Sequence, residues 1–417
     1  MGERRVGSGE AERELGSSKI LLGVTGGIAA YKAAEIVRLL RKRGLDVHAV
    51  MTRNAQEFLK PLTLQALSGN PVWTDTFQLT NEQQIGHIRL VDRCGLLLVA
   101  PATANVLGKA ASGIADDLLT TMICAATRVP VVFAPSMNVH MYQNPITQEN
   151  IRKLRQFGYH FIEPDAGELA CGYEGVGRLA DPCVIVEAVL RLLGPKDLGS
   201  ERILVTAGPT QEEIDPVRFL TNRSSGKMGY AIARAASQRG ASVTLVSGPS
   251  PCVVPERVCF VPVKSAEEMR AAVLNAFSDC TAVVMAAAVS DYRPADKAAH
   301  KIKKHEGPLT LRLERTPDIL LELSRQKGDR VLIGFAAETE SLIGHAEEKR
   351  KKKKLDLIVV NDVSRRDIGF ESDNNQVHFI DGQGRVTDLP LQPKEALAHR
   401  ILDQIPLIRC SATTAGT

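Results

Sequence analysis

Three residues in the first half of the chain have side chains that can transfer a proton or hold a polar substrate group: His87, Asn138 and Cys171. An imidazole moves a proton near neutral pH, and a thiol can donate a proton. Each also has a structural explanation, because a single His is often a core or surface residue and an Asn after a strand is often a helix cap. The glycines on both sides of Cys171, in Gly167–Arg178, favour a mobile lid over a buried core position.

The second half of the chain carries a run of six basic residues, Lys349–Lys354. Lys349 and Lys353 are four residues apart, so they would lie on one face of a helix and could bind a polyphosphate together. A solvated helix face is the first alternative, and nuclear targeting or nucleic-acid binding is the second. The formal net charge of the whole chain is only +4, which argues against a nucleic-acid binder.

Two glycine-containing loops follow predicted strands and precede predicted helices, where backbone N–H groups can bind phosphate. The first loop is Thr25–Ala29, and the second is Asn222–Gly229. Neither has the G-x-G-x-x-G pattern of dinucleotide-binding folds, and Met228 stands where a Walker A motif requires Ser or Thr. The alternative is that these glycines form tight turns and pack helix against strand. The loops alone therefore leave phosphate binding open.

Short apolar runs of strand type alternate with segments of helical periodicity in both halves. The predicted strands are Ile20–Val24, Val47–Met51, Leu96–Ala100, Val131–Ala134, Ile203–Thr206, Val243–Val246, Ala282–Ala286, Val331–Phe335 and Leu357–Val360. Strands separated by helix-length segments are typical of βαβ units and parallel sheets. The pattern predicts an α/β protein with two doubly wound, mostly parallel-sheet, Rossmann-like domains. Ligands of such domains bind beyond the carboxyl ends of the strands.

A chain of 417 residues is long enough for two or three domains. The apolar pattern predicts a disordered tail at 1–18, a first domain at 19–193, a linker at 194–201, a second domain at 202–408 and a tail at 409–417. The eight cysteines form no C-x-x-C pair, and no apolar run reaches the roughly 18 residues of a membrane span. We expect a soluble, cytoplasmic protein with neither a membrane nor a nucleic acid as partner.

Five motifs of the first half resemble, in order, those of the flavin-dependent cysteine decarboxylases. They are G-V-T-G-G-I-A-A-Y-K at 23–32, A-P-A-T-A-N at 100–105, G-I-A-D-D-L-L-T at 113–120, P-S-M-N-x-x-M at 135–141 and A-C-G-Y-E-G-V-G-R at 170–178. More closely, residues 19–193 resemble the decarboxylase half of the bacterial bifunctional phosphopantothenoylcysteine decarboxylase/phosphopantothenate–cysteine ligase family. The resemblance implies that Cys171 donates a proton from a lid, that His87 is a base near the flavin, and that Asn138 holds the departing carboxylate. It also implies an FMN site formed by Thr25, Gly26, Gly27, Thr52, Thr103 and Asn105.

Motifs of the second half resemble the ligase half of the same family over residues 202–406. They are D-P-V-R-F-L-T-N-R-S-S-G-K-M-G at 215–229, A-A-A-V-S-D-Y-R at 286–293, K-I-K-K at 301–304, T-P-D-I-L at 316–320, G-F-A-A-E-T at 334–339 and N-D-V-S at 361–364. The resemblance implies that CTP, with Mg2+, activates the carboxylate of 4′-phosphopantothenate as an acyl-cytidylate, which cysteine then attacks. It implies that Asn222 stabilises and helps to convert this intermediate and that Lys301 supports its formation. The implied contacts of CTP and the acyl-cytidylate are Ser224, Ser225, Gly226, Met285, Ala286, Ala287, Asp291, Lys301, Pro317, Asp318, Ile319, Leu320, Phe335, Lys349 and Lys353.

Together the motifs imply a bifunctional enzyme of coenzyme A biosynthesis with FMN as cofactor. The ligase half would make 4′-phosphopantothenoylcysteine, and the decarboxylase half would convert it to 4′-phosphopantetheine. The resemblance also implies a homo-oligomer in which decarboxylase halves form trimers and ligase halves form dimers, which together could build a dodecamer. A non-enzymatic regulatory subunit of the flavoprotein family is the alternative, although His87 and Cys171 are both present. A third hypothesis is a flavin oxidoreductase with an unrelated substrate, but the ligase motifs argue against it.

Overall fold

The computed structural model of the chain describes residues 19–75, 86–168, 174–303, 309–338, 342–362 and 372–414. The chain divides into two compact units, Met1–Gly194 and Pro195–Thr417. Each unit contains its own large sheet and its own core. None of the helices in the described ranges is long and apolar enough to cross a membrane.

The first unit is built on six parallel strands with helices on both faces of the sheet. Its strands are β1 (Lys19–Val24), β2 (Asp46–Met51), β3 (Val72–Trp73), β4 (Leu96–Ala102), β5 (Val131–Pro135) and β6 (His160–Phe161), followed by an antiparallel hairpin of β7 (Asp165–Glu168) and β8 (Glu174–Arg178). Its α-helices are α1 (Ala33–Lys42), α2 (Pro61–Ser68), α3 (Gly86–Asp92), α4 (Ala104–Ser112), α5 (Leu118–Ala125), α6 (Val139–Gln143), α7 (Pro145–Gln156) and α8 (Pro182–Leu193). The order of strands in the sheet is β3-β2-β1-β4-β5-β6.

The apolar character of β1 follows from its central place in this sheet. Ile20, Leu22 and Val24 belong to the core on one face, together with residues of α1 and α8. Leu21 belongs to the core on the opposite face, together with residues of α4, α5 and α7. Because both faces are covered by helices, a continuous apolar run is required instead of an alternating one.

The second unit contains an eight-stranded mixed sheet and two short hairpins. Its strands are β9 (Arg202–Ala207), β10 (Gln211–Glu213), β11 (Phe219–Thr221), β12 (Ser242–Ser247), β13 (Val258–Pro262), β14 (Ala282–Met285), β15 (Tyr292–Pro294), β16 (Leu313–Arg315), β17 (Val331–Glu338), β18 (Leu357–Asp362), β19 (Asn374–Asp381) and β20 (Val386–Pro393). Its α-helices are α9 (Lys227–Gln238), α10 (Ala266–Phe277), α11 (Ile319–Arg325), α12 (Leu342–Lys352), α13 (Lys394–Leu402) and α14 (Gln404–Thr414). The sheet order is β13-β12-β9-β14-β17-β18-β19-β20, and two antiparallel hairpins, β10–β11 and β15–β16, lie outside it.

The predicted fold class, two doubly wound and mostly parallel α/β domains, is confirmed, and each predicted strand is present. The second sheet also has an antiparallel end that the apolar pattern did not predict. There β18 pairs with β19 and β19 with β20, both antiparallel. Most of β20 is exposed, and buried and less buried residues alternate along β19. Strands with one solvated face carry polar residues, so a search for apolar runs misses them.

Residues just after the boundary between the units are attached to the second unit. Lys196 Nζ donates to the carbonyl of Gln238 at 2.6 Å, and the Asp197 carboxylate accepts from Arg239. The Leu198 side chain is fully buried. At the other end, α14 continues to Thr414. The structure therefore corrects two predicted bounds, since much of the linker at 194–201 packs on the second unit and residues 409–414 of the predicted tail are helical.

Candidate active sites

Two cavities lie at the carboxyl edge of the large sheet in the second unit. The first has a volume of about 460 Å3, and the predicted contacts that line it are Met285, Ala287, Asp291, Pro317, Asp318, Ile319, Leu320, Lys349 and Lys353. The second has a volume of about 380 Å3, and the predicted contacts that line it are Asn222, Ser224, Ser225, Gly226, Ala286, Ala287, Asp291, Phe335 and Lys349. The structure thus brings these residues together, and it divides them between two adjoining spaces. Lys301 is exposed in an irregular segment and is not among the residues that line either cavity.

Hydrogen bonds join the loop after β14 to β9 and to the loop that follows β9, and residues of this β14 loop line both cavities. The Ala287 N–H donates to Thr206 Oγ1 at 3.1 Å, and the Ser290 N–H donates to Thr210 Oγ1 at 2.9 Å. Both threonines are fully buried, so these bonds lie in the interior. Neighbouring parallel strands end at the same edge of a sheet, and the small side chains of Ala286 and Ala287 leave room for a ligand there.

Two lysines supply positive charge to the first cavity. Lys349 Nζ donates to the carbonyl of Phe335 at 2.9 Å, and Lys353 Nζ forms an ion pair with Asp318 at 2.8 Å. The backbone N–H of Lys353 donates to the backbone carbonyl of Lys349 at 3.0 Å, which confirms the predicted i, i+4 relation. Arg350 between them is buried and bonds to Glu347 instead. Within the basic run, Lys349 and Lys353 therefore line the cavity, whereas Arg350 is buried against Glu347.

The carboxylate of Asp318 is held in its charged form. Burial raises the pKa of this carboxyl, but the hydrogen bonds from Lys353 and from the N–H of Leu321 lower the pKa by more than burial raises it. The pKa therefore lies below the ordinary value of 3.8. Asp318 is also the N-cap of α11. Through these bonds it orients the Lys353 ammonium at the cavity.

The N-terminus of α9 forms one wall of the second cavity. Gly226 is its N-cap, with φ of +79°, a conformation that favours glycine. A Cβ atom on Gly226 would lie 2.9 Å from Ser250 Oγ and 3.2 Å from the nitrogen of Gly208. The N-cap makes no side-chain hydrogen bond. Asn222, just before this turn, donates from Nδ2 to the carbonyl of Ala288 at 3.0 Å, so the orientation of its amide is set.

Asn361, Asn375 and Lys394 are among the residues of the second cavity that had no predicted role. Within the described ranges, Asn361 Oδ1 is the buried side-chain polar atom that has no hydrogen-bond partner. Lys394 is only 7% exposed; burial lowers the pKa of its ammonium, and the charge of Lys227 lowers it further. Asn361 belongs to the N-D-V-S motif of the sequence. No neighbouring residues of Lys394 indicate a binding role, because Lys394 is brought to the cavity by the folding of the chain.

In the first unit, three loops that carry the predicted FMN contacts converge at the carboxyl ends of β1, β2 and β4. Thr25 is buried, its Oγ1 donates to the carbonyl of Pro101 at 2.7 Å, and it accepts from the N–H of Thr103 at 3.2 Å. The Thr52 N–H donates to the carbonyl of Val24 at 3.1 Å. A Cβ atom on Gly26 would lie 2.4 Å from Cβ of Asn54, so these loops touch. Gly27 belongs to the first of these loops and is half-buried, whereas Asn105 lies in the first turn of α4 and is exposed.

The hairpin of β7 and β8 packs on the loop that holds Asn138. The Met137 N–H donates to the carbonyl of Gly177 at 2.9 Å, and a Cβ atom on Gly177 would lie 2.3 Å from the carbonyl oxygen of Met137. Asn138 follows β5 and caps α6, accepting from the N–H of His140 at 2.8 Å. Cys171 stands in the sequence between β7 and β8 and lies outside the described residues. His87 lies on α3, of which this part is described by its backbone alone.

Comparisons with known proteins match the two units separately and the chain as a whole. The family described as Flavoprotein matches residues 8–194, and the family described as DNA/pantothenate metabolism flavoprotein C-terminal domain matches residues 198–407. The coenzyme A biosynthesis bifunctional protein CoaBC of Bacillus subtilis is 48% identical over 94% of this chain and 97% of its own length. The protein of the same name from Escherichia coli K12 is 46% identical over 94% of this chain and 97% of its own length.

A solved structure, the C-terminal domain of a coenzyme A biosynthesis bifunctional protein CoaBC, is 43% identical and covers 51% of this chain and 98% of its own, with a TM-score of 0.45. The full-length matches join a flavoprotein half to a pantothenate-metabolism half in the order found here. They favour a bifunctional enzyme over a regulatory subunit. The chain belongs to the family of coenzyme A biosynthesis bifunctional proteins, the phosphopantothenoylcysteine decarboxylases and phosphopantothenate–cysteine ligases.

Proposed function

We propose that the second unit joins cysteine to 4′-phosphopantothenate at the expense of CTP, and that the first unit decarboxylates the product with FMN. The observation that carries the ligase assignment is the pair of adjoining cavities, which share Ala287, Val289, Asp291 and Lys349 in their walls. Two substrates held in adjoining cavities meet where the cavities join. Holding reactants in this way removes much of the entropic cost of a two-substrate reaction.

In the proposed ligase reaction, CTP occupies the first cavity. A carboxylate oxygen of 4′-phosphopantothenate attacks the α-phosphorus of CTP, the bond to the β-phosphate breaks, and pyrophosphate leaves. Lys349 and Lys353 line this cavity and balance the charge of the phosphates, and Mg2+, when bound with the nucleotide, would neutralise more of that charge. The amine of cysteine then attacks the acyl carbon, CMP leaves, and the amine loses a proton.

We place 4′-phosphopantothenate in the second cavity with its phosphate toward the N-terminus of α9. The backbone N–H groups there favour an anion, and Lys394 and Lys227 both line the same cavity. The lowered pKa of Lys394 supports this placement, since a phosphate dianion beside it would offset the charge of Lys227. Asn361 Oδ1, without a partner among the described residues, can accept from a hydroxyl or amide of the substrate.

Replacing Lys394 with Met should raise KM for 4′-phosphopantothenate about 10- to 30-fold, because one charged hydrogen bond is lost. KM for pantothenate, which has no phosphate, should change little, so the preference for the phosphorylated substrate shrinks. Steady-state ligase assays with each substrate measure this effect. The control is Lys349→Met, which we expect to raise KM for CTP instead. If Lys394→Met raises KM for 4′-phosphopantothenate and for pantothenate by the same factor, the phosphate does not bind next to Lys394.

The residues at the carboxyl edge of the first sheet fit an FMN group. The loops after β1 and β4 are held together through Thr25, and Gly26 and Gly27 give the first of them two positions without a side chain. FMN, when bound, would accept electrons from the cysteine moiety of the substrate and return them after CO2 has left. We propose that Asn138 holds the departing carboxylate, that His87 acts as a base, and that Cys171 donates a proton to the product.

We also propose that the chain forms a homo-oligomer through its second unit. Val217, Phe219, Tyr292 and Leu313 are all between 44% and 59% exposed, and they lie on the two hairpins β10–β11 and β15–β16 or in their turns. Exposed apolar side chains that cluster in this way are typical of protein interfaces. Light scattering on Phe219→Glu and on the unchanged chain checks this proposal, since a variant of unchanged mass would contradict it.

One reaction mixture tests both activities. The purified protein receives 4′-phosphopantothenate, cysteine, CTP and Mg2+, and pyrophosphate, CO2 and 4′-phosphopantetheine are followed. We expect all three to appear, and we expect a flavin spectrum in the protein. If neither CTP nor ATP yields pyrophosphate, the ligase proposal is wrong. If no flavin is bound even after FMN is added, the decarboxylase proposal is wrong.

A further inference from the structure

The side chain of Asp215 connects two segments of the second unit that are far apart in sequence. Its Oδ1 accepts from the N–H groups of Val217 at 2.8 Å and Arg218 at 2.9 Å, which closes the turn between β10 and β11. Its Oδ2 accepts from the N–H of Ile302 at 3.1 Å. The residue is only 1% exposed. One buried carboxylate therefore fastens the segment next to Lys301 to the hairpin that leads to Asn222.

The segment around Lys301 is attached to the β10–β11 hairpin by hydrogen bonds and by an ion pair of Lys297 with Glu213. Residues 295–303 form neither helix nor strand. Three hydrogen bonds among the described residues connect this segment to the turn: Ala298 N–H to the carbonyl of Ile214 at 3.0 Å, Ile302 N–H to Asp215, and Arg218 Nη2 to the carbonyl of Ile302 at 3.2 Å. Two of these bonds hold Ile302, the residue that directly follows Lys301, at both its N–H and its carbonyl.

Charge and burial make the Asp215 bond the strongest of these contacts. A carboxylate that accepts from three backbone N–H groups binds more tightly than a neutral acceptor does. The amide of an Asn in its place could not accept from all three N–H groups, because it has only one oxygen. Its NH2 group would face either the N–H of Ile302 or the N–H groups of the turn. A buried N–H group that loses its acceptor is costly, so the segment would move away and take Lys301 with it.

We infer that Asp215 is a positioning residue for acyl-cytidylate formation, holding the Lys301 segment in place relative to the Asn222 hairpin. This inference rests on the proposed function, in which Lys301 supports formation of the intermediate. The side chain of Asp215 contacts no substrate in this assignment. It acts through the main chain of Ile302, one residue beyond Lys301.

The test measures the two half-reactions of the ligase separately by rapid quench of the full-length protein. Asp215→Asn should slow the release of pyrophosphate about 10- to 50-fold, because small misplacements of a reacting group have effects of this size. KM for CTP should change by less than about threefold, and attack of cysteine on preformed acyl-cytidylate should stay within about threefold. A merely structural loss would lower both half-reactions together.

A double-mutant cycle with Lys301→Gln shows whether Asp215 acts through Lys301. If it does, adding Asp215→Asn to Lys301→Gln lowers pyrophosphate release by less than about twofold further. Additive losses would overturn the inference. Arg218→Met is a milder variant, since its side chain is half exposed. It releases the carbonyl of Ile302 and removes the 3.8 Å ion pair with Asp215, but the three N–H groups that donate to Asp215 remain. It should slow the same half-reaction by a few fold, and no change would count against the inference.

Glu212→Gln is the matched control. Glu212 lies on the same hairpin, is 4% exposed, and accepts from the N–H of Ala266 at 2.8 Å, far from the Lys301 segment in sequence. It should leave the ratio of the two half-reactions unchanged, even if the melting temperature falls. Failure of the proposed function itself is separate, because the unchanged protein would then release no pyrophosphate.

Discussion

Replacing Asn222 with Asp should slow the attack of cysteine on the acyl-cytidylate about 100- to 1,000-fold. Asn222 Nδ2 donates to the carbonyl of Ala288 at 3.0 Å, so the amide presents its oxygen and its second N–H away from that carbonyl. A carboxylate has no N–H, and one of its oxygens would face the carbonyl oxygen of Ala288. The side chain would turn away from its present position, and its negative charge would face the phosphate of the intermediate. Losses of this size are typical when a preorganised donor is removed from a reacting centre.

Rapid-quench measurements of pyrophosphate and CMP distinguish the affected step. We expect the variant to release pyrophosphate in a first turnover and then to release CMP slowly, so that the acyl-cytidylate accumulates. The control is Asn374→Asp, which adds the same charge at an exposed position outside both cavities. If pyrophosphate and CMP release fall to the same extent, Asn222 acts in the first step and the proposed role is contradicted.

The strands at the centre of each sheet could be predicted from the sequence because they are buried on both faces. The run Ala282–Ala286 is apolar throughout, and Ile203–Thr206 is apolar except for Thr206. The strands β14 and β9 occupy nearly the same residues. The short hairpins could not be predicted in this way. Three-residue strands such as β10 and β11 carry no periodicity, and their pairing depends on the turn that Asp215 closes. The antiparallel strands β19 and β20 could not be predicted from apolar runs, because they carry many polar residues.

The candidate site could be predicted in part for a similar reason. Lys349 and Lys353 are four residues apart, so a local rule places them on one face. Motifs located Asn222 and Asp318, but the division of the site into two cavities depends on the fold. Lys394 reaches the second cavity from the start of α13, more than 160 residues beyond Asn222 in the sequence. No spacing rule covers such a distance, so residues of this kind appear only once the sheet is assembled.

Replacing Arg239 with Met should lower the free energy of unfolding of the second unit by about 2–3 kcal/mol. The guanidinium is 4% exposed, forms two hydrogen bonds with Asp197 at 3.0 and 2.5 Å, and donates to Asp403 at 2.7 Å. Removing one partner of a buried ion pair costs about 3–5 kcal/mol. The effect here is smaller, because the side chains of Asp197 and Asp403 are each 42% exposed and water can hydrate them.

Calorimetry of the full-length protein measures this loss as a fall of about 5–10 °C in the melting temperature of the second unit. Arg234→Met is the matched control, since Arg234 lies on α9, the helix that Arg239 caps at its C-terminus, and its ion pair with Glu395 is long, at 3.8 Å. We expect that variant to lose less than about 1 kcal/mol. Equal shifts in the two variants would mean that the Asp197–Arg239–Asp403 cluster adds nothing beyond ordinary side-chain packing.

The pH dependence of the Arg239→Met effect identifies its electrostatic part. Burial raises the pKa of Asp197, but the hydrogen bonds and charge of Arg239 lower it more, so the pKa in the folded protein lies below 3.8. A carboxyl whose pKa is lowered by folding stabilises the folded state above its unfolded pKa, and this stabilisation is lost as the pH falls through the folded pKa. The part of the difference in melting temperature that comes from Asp197 should therefore be constant from about pH 5 to 7 and should narrow below about pH 4. A difference that stays constant at lower pH would mean that lost packing, and not the lost ion pair, causes the destabilisation.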